Sequence, residues 1–521
     1  MKMKMSILLV LCLGRLAFGA GTLTPQGAPA PTMKTLDEID QSITQISNCV
    51  NQVKGWVDVS SLPGKMDLGK TIDYYIDKPG RYFLSKNLVA TNDYCIYIDS
   101  SGVVLNLNGF VLDGQGSKTV GVFIRKSGCI VKNGTIVRCN KGVYSIVQVE
   151  ASILERLIIN DSKMFGIEIG NYSHVRNCQL FNNGTASSGI RGGISVGKDS
   201  VISGCIVRGT QGTHSILLKE GGQVMDSISI GNTGYGITLQ KGCVAKRCIA
   251  QNNGSSGFYG ALVGSLFEEC IAQSNGVSGI VVSEGSMICD CISAQNQQRG
   301  IFATQRGVKV KHSIVRENVL SGIFLQDYAD ISGSISMYNK GSYGIFATKD
   351  SSVVGSISSH NISSAVVSYG VSLSKNSKVL ESIVRLNQNT ASGSSQYHGM
   401  GIFVIRNSTV KNCLVVQNTG TGIYADRNSL ILENNASGNG LYAGTGAGIY
   451  LFGQLNRIED NLVVGNDTGI MVQGTNNLVL RNTASGNSDA QFDIIAGQSV
   501  SGVHTNTGTI ATSDSFKNFE F

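Results

Sequence analysis

Four residues between positions 375 and 406 carry side chains able to move protons around a sugar acid: Lys375, Tyr397, His398 and Arg406. His398 or Lys375 would abstract the proton beside a uronate carboxylate. Tyr397 or Tyr369 would protonate the leaving oxygen, and Arg406 would neutralise the carboxylate. By residue type this is the equipment of a polysaccharide lyase. Aromatic residues recur in the same half of the chain at Phe302, Phe324, Phe346, Tyr369, Phe403, Tyr424 and Tyr450, with Arg427 among them. Flat rings bind the faces of sugars, and guanidinium groups pair with carboxylates.

What positions these residues is a repeat. A Gly-Ile-x-aliphatic stretch returns at Gly166, Gly236, Gly279, Gly322, Gly344, Gly401, Gly448 and Gly469, most often after about 21 to 22 residues, one unit of a solenoid. Each unit then carries a small residue (Cys178, Cys205, Ser227, Cys248, Cys270, Cys291, Ser313) and, a little further on, an asparagine (Asn183, Asn232, Asn253, Asn275, Asn296, Asn318). Asparagine tolerates the left-handed conformation of a sharp turn, and its amide can bond to the asparagine of the next unit. Short strands with stacked Ile, Val, Cys and Asn columns predict an all-β, right-handed parallel β-helix over 60–497. Its coils lie about 4.8 Å apart, and about 16–17 of them would span roughly 75 Å.

Composition agrees. Glycine is abundant at 65 residues and proline scarce at 5, and Trp56 is the single tryptophan, as many short strands joined by tight turns require. The formal charge of +7 favours acidic partners weakly. The 13 cysteines fall mostly in the small-residue column, so they are expected to be reduced core thiols. Cys49 and Cys95 lie outside that column and are the one candidate disulfide. No Cys/His spacing suits a metal, so no metal site or cofactor is expected.

Lys2 and Lys4 precede an apolar run from Ile7 to Leu13 and small residues near Ala20. This predicts a signal peptide over 1–20 and a secreted protein with no integral membrane association. Leu36, Ile39, Ile43, Ile46, Val50, Val53 and Val57 alternate by threes and fours, and Thr35 can cap them. A short N-terminal helix over 33–58 is expected. It either caps the solenoid or makes an oligomer. Residues 498–521 are expected to form a C-terminal cap or tail.

The segment PGRYFLSKNL with VVLNLNGFVLDG, between Pro79 and Gly114, resembles the entry coil of many secreted bacterial β-helix proteins. The repeat resembles that shared by pectate-lyase-like and NosD-like proteins over about residues 60–495. The resemblance implies a fold and no activity. The Asp-Pro-His motif of alginate epimerases, the Asn-Thr-Asp, Asp-Asp and Gly-His-Gly set of polygalacturonases and the Arg-x-Pro-x-x-Arg run of pectate lyases do not occur, so no family catalytic residue carries over. The His/Met/Cys cluster that NosD-like metal delivery would need is also missing.

In a regular solenoid the irregular positions carry information. Insertions gather between the asparagine and the next glycine, at 182–193, 361–370, 387–401 and 438–448, and such loops commonly border a binding face. Phe302, Phe324, Phe346, Phe403, Tyr424 and Tyr450 fall two places after the strand glycine, where a strand points its side chain outward, with Ser372 in the same column and Tyr369 in a loop. Lys349, Lys375, Arg406 and Arg427 occupy the turn at the far end of that strand. Each has a bland counterpart, since aromatics suit strands and turns are solvated. Hydrolysis is weakly supported, because Asp327 and Asp426 stand four coils apart, roughly 19 Å, against the 5 to 9.5 Å a glycosidase needs. A further outward column is nearly all isoleucine, from Ile206 to Ile383.

The reading is a secreted β-helix that binds, and conceivably processes, an acidic polysaccharide or cell-surface glycan, with no nucleic-acid partner. The alternative is a non-catalytic, adhesin-like surface protein.

Overall fold

The computed structural model describes residues 55–67, 69–116, 119–185, 191–365, 367–391, 399–440, 446–505 and 515–520. Each repeat is one coil of three short strands, such as Ile280–Val282, Met287–Cys289 and Ile292–Ala294. Every strand pairs in parallel with its counterpart one coil on: Ile280 with Ile301, Met287 with Lys309, Ile292 with Ile314. Alternate residues point inward, and those that do, such as Ile280, Val282 and Ile288, are wholly buried. The same strands repeated by the next coil extend the core, so three residues per strand suffice.

Nineteen coils stack in this way, from the strand Lys70–Ile76 to the strand Ala490–Ile494, more than the 16–17 expected. The extra coils lie at the two ends. Early coils use Gly-Val in place of Gly-Ile, at Gly121 and Gly142, and fuse two strands into the long ones Ile130–Val137 and Ile153–Asn160. The last coil has no glycine in its Ala490–Ile494 strand.

The corners explain the polar columns. Each corner bends at one left-handed residue: Gly285 (φ 64°), Asp290 (φ 54°) and Gln295 (φ 57°) in a single coil. The next residue's N–H then points away from the sheet ladder and needs another acceptor. A side chain one coil on supplies it. Cys291 N–H donates to Ser313 Oγ at 3.2 Å, and Asn296 N–H donates to Asn318 Oδ1 at 3.0 Å. The asparagine is therefore not the bent residue, as its type suggested. The residue before it bends, and the asparagine amide links coils as expected: Asn296 Nδ2 donates to Asn318 Oδ1 at 2.9 Å. A third such column at the remaining corner (Ser351, Ser377, Ser408, Ser429, Asn456) works in the same way, with Ser351 N–H donating to Ser377 Oγ at 3.2 Å.

The glycine heading the Gly-Ile strand is a matter of space. A Cβ on Gly322 would lie 2.1 Å from Ser336 Oγ and 2.7 Å from Asn339 Nδ2 further along the same coil. The cysteine column consists of buried free thiols, as expected. Burial pushes the Cys139 thiol up to about 12 and that of Cys413 to about 11. Cys95 is also free and wholly buried, and Cys49 lies outside the described residues.

At the N-terminal end Trp56–Asp58 is a strand paired with Arg81–Phe83, so the helix expected over 33–58 does not extend to these positions. Its remainder, like the expected signal peptide, lies outside the described residues. At the other end Ser499–Val500 and Asn518–Glu520 continue two ladders, and Asn518 Oδ1 accepts from Asn482 N–H at 2.9 Å. Part of the expected tail is thus a continuation of the solenoid. Among the described residues no helix is long and apolar enough to cross a membrane.

Two predictions follow from the corners. Asn318→Ala leaves the Asn296 backbone N–H without its acceptor, removes one of three from its side-chain amide, and should cost about 3 kcal/mol in chemical denaturation. Lys378→Ala, at an exposed strand position, should stay within about 0.5 kcal/mol. With Cys12 and Cys49 replaced by serine, the native protein should react with an aromatic disulfide reagent slowly and first at Cys289, the one described thiol that is not fully buried. All described thiols should react at once after unfolding.

Candidate functional site

The outward column of the Gly-Ile sheet runs through consecutive pairings. Val281, Phe302, Phe324, Phe346, Ser372, Phe403, Tyr424, Tyr450 and Met471 stand side by side. In-register pairing sets neighbouring rings at stacking distance. Phe324 and Phe346 stack at 4.4 Å, and Phe403 and Tyr424 at 4.9 Å. Ser372 breaks the column but not the line of rings, because the adjacent column supplies Tyr343 and Tyr369. Tyr343 lies 4.6 Å from Phe346, Tyr369 lies 5.7 Å from Tyr343, and Phe403 lies 4.9 Å from Tyr369. Tyr343, like Tyr369, occupies the position before the strand glycine, outside the spacing that picked out the phenylalanines.

Exposure divides the line. Phe302, Phe324, Phe346, Tyr369 and Phe403 are half-buried, with ring area open to solvent. Tyr424 and Tyr450, expected to lie open with them, keep only 5% and 2% of theirs. They pack with Met400 and Ala447 and against Met471, and serve as the foundation of the platform. The same column is aromatic again in the early coils, at Tyr75, Tyr97, Phe123 and Tyr144. There a hairpin strand, Lys65–Asp67, lies beside it. Tyr97 donates its hydroxyl to Asp67 at 3.0 Å, and Arg125 pairs with Asp67 and Asp99.

At the exit of the strand the turn column carries charge. From Lys198 to Lys349 the signs mostly alternate between coils: Lys198 and Lys241 flank Glu220, Arg306 meets Glu284, and Lys349 meets Asp327. Thr348 donates to Asp327 and, as the largest influence, holds its carboxyl below the usual value. The alternation then stops. Lys375, Arg406 and Arg427 follow Lys349 on successive coils. Asp426 answers two of them, 3.6 Å from Arg406 and 3.5 Å from Arg427. Lys375 is exposed and forms no ion pair among the described residues.

At the entry of the strand the insertions form a small parallel pair, Ile362–Ser363 with Gln388–Asn389. On one side of this rise lies a groove of about 760 Å3 lined by Gln295, Glu317, Tyr338, Lys340, Ile362 and Thr390. On the other, facing the aromatic line, lies a cleft of about 390 Å3 that includes Arg299, Ser321, Phe324, Lys340, Tyr343 and Ser363. The Arg299 guanidinium sits 4.5 Å from the ring centres of both Phe302 and Phe324. The sequence pattern did not single out Arg299, because it also precedes the strand glycine, where other coils carry Ser278 or Ser321.

Of the proposed elimination set, Lys375 and Arg406 stand on successive coils in one turn column. Lys375 and Arg406 sit at the strand exit, whereas Tyr369 and Met400 open the strands Tyr369–Leu373 and Met400–Arg406. Six residue steps separate the two ends, about 20 Å, too far for Tyr369 to work with Lys375. Tyr397 and His398 lie outside the described residues. Among the described residues no three His, Cys, Asp or Glu side chains are grouped to hold a metal.

The family model described as right handed beta helix region matches residues 192–342 and 343–507. A comparison of the sequence with curated proteins returns no match. Similar solved structures include the mannuronan C-5 epimerase AlgE4 A-module of Azotobacter vinelandii, 15% identical over 77% of this chain and 91% of that one, with a TM-score of 0.21. They also include a tailspike protein mutant of E. coli bacteriophage HK620 in complex with a hexasaccharide, 11% identical over 81% of this chain and 77% of that one, with a TM-score of 0.37. The chain belongs to the right-handed β-helix family.

Because Asp426 lies between Arg406 and Arg427, Asp426→Asn should lower stability. The arginines are largely solvated, so the expected loss is about 0.5–1 kcal/mol, read as a lower melting temperature that added salt partly restores.

Proposed function

We propose that this member of the right-handed β-helix family binds a polysaccharide along the outer face of its Gly-Ile sheet. The line of half-open rings from Phe302 to Phe403 carries the reading. Rings one coil apart repeat at about 4.8 Å, close to the length of one pyranose unit, so a chain lying along the solenoid meets half-open aromatic area at each sugar. The insertions wall one side of this floor. The uncompensated Lys375, with Arg406 and Arg427, edges the other and favours an acidic glycan. Binding is the activity this arrangement supports, since Tyr369 and Lys375, a proton donor and acceptor considered for cleavage, stand at opposite ends of one strand.

The test is a screen of the purified protein against acidic and neutral polysaccharides, following both binding and new unsaturated or reducing ends. Binding without new ends is expected. Phe324→Ala combined with Phe403→Ala should weaken it at least tenfold, about 1.4 kcal/mol or more, while the rest of the solenoid keeps its secondary structure. Unchanged binding by the double variant would remove the platform. No binding to any polysaccharide would favour an adhesin-like role, and product formation would make the protein an enzyme.

A further inference from the structure

We infer that the cleft at Arg299 is a subsite that reads the ring carboxylate of a hexuronic acid in the bound glycan. The inference rests on the polysaccharide reading and deepens it. Arg299 is a half-buried cation without a counter-ion: among the described residues no carboxylate lies within ion-pair distance of it. Its Nε is buried and has no hydrogen-bond partner. Burial also disfavours its charged form, holding its pKa below the usual arginine value. A buried charge without a partner is costly, and a buried donor without an acceptor adds to that cost. An anionic ligand whose oxygens accept from the terminal guanidinium N–H groups supplies the missing counter-charge.

The geometry narrows the ligand. Phe302 and Phe324 lie against the guanidinium at 4.5 Å each, so ring contacts take up its flat face and its in-plane N–H edge remains. That edge matches a planar carboxylate, which accepts two parallel hydrogen bonds. The space in front, about 390 Å3, lies within the range of small-ligand sites. Hydroxyls of Ser321, Ser342 and Ser363 and the Lys340 ammonium line it as well, and these suit the hydroxyl groups and second charge of an acidic sugar. Tyr343 and Phe324 continue from the cleft into the ring platform, so one sugar in the cleft is in line with its neighbours on the rings.

The test measures binding of the full chain to oligohexuronates (galacturonate, guluronate and glucuronate-containing oligosaccharides), to their carboxyl-reduced neutral counterparts and to a sulfated oligosaccharide. Arg299→Met keeps the packing against the rings and removes the charge, and its melting temperature should match that of the parent. It should bind the oligohexuronate about tenfold or more weakly, with weak binding of the neutral counterpart unchanged, and Arg299→Lys should recover part of the loss. Equal affinity of Arg299→Met and the parent for every oligohexuronate would overturn the subsite, as would equal affinity of the parent for acidic and reduced forms. Binding of the sulfated probe alone would overturn the carboxylate assignment. Failure of all three classes to bind the parent would overturn the platform reading together with the subsite, a result distinct from the others.

Discussion

The structure depends on one recurring exchange: at most corners a backbone N–H that has turned out of its sheet is taken up by a side chain one coil further on. Three left-handed residues per coil make the bends, and after most of them stands a Ser, Cys or Asn whose side chain accepts from the coil before it. The sheets hold the flat faces by ordinary ladder bonds, but the corners have no such partners of their own. A buried corner without an acceptor would cost about 1–3 kcal/mol each time. Small polar residues therefore predominate at three positions per coil, with Gly222, Val308 and Ala329 as exceptions in one column, and positions outward of them are free to vary.

That division lets a functional surface arise. Strict register makes each outward position a column, so a residue type chosen several times becomes a line. Rings in such a line stack on one another and are held by the sheet beneath, which orders them before any ligand arrives. The same register sets like charges a coil apart, and the turn column mostly avoids this by alternation until Lys349. The run that follows, with Asp426 set between Arg406 and Arg427, departs from the rule beside the aromatic line. The departures from regularity, namely the insertions, the rings and the unbalanced cations, fall on the two edges and the floor of one sheet face.

Much of this was legible in the residues because the columns are periodic. The Gly-Ile strand, the inward aliphatics, the Asn amide ladder and the thiol column all follow from spacing, and so does the outward placement of Phe302, Phe324, Phe346 and Phe403. Three things were not legible. The bend lies on residues of every type, including Tyr338, His360 and Leu386, so composition hides it and the conspicuous asparagine was credited with it. The burial of Tyr424 and Tyr450 comes from Met400, Ala447 and Met471 on neighbouring coils, a contact no single repeat contains. Arg299 and Tyr343 stand before the strand glycine, in a column whose residue type changes from coil to coil. Only the fold shows that both face the same platform.

The most direct measurement is a crystal structure of the protein with a bound acidic oligosaccharide. Sugar rings are predicted against the open aromatic area of Phe324, Phe346 and Phe403, with one carboxylate within hydrogen-bonding distance of the Arg299 guanidinium. An oligosaccharide seated instead on the isoleucine face from Ile206 to Ile383, or at the strand-exit turn without touching the rings, would contradict it.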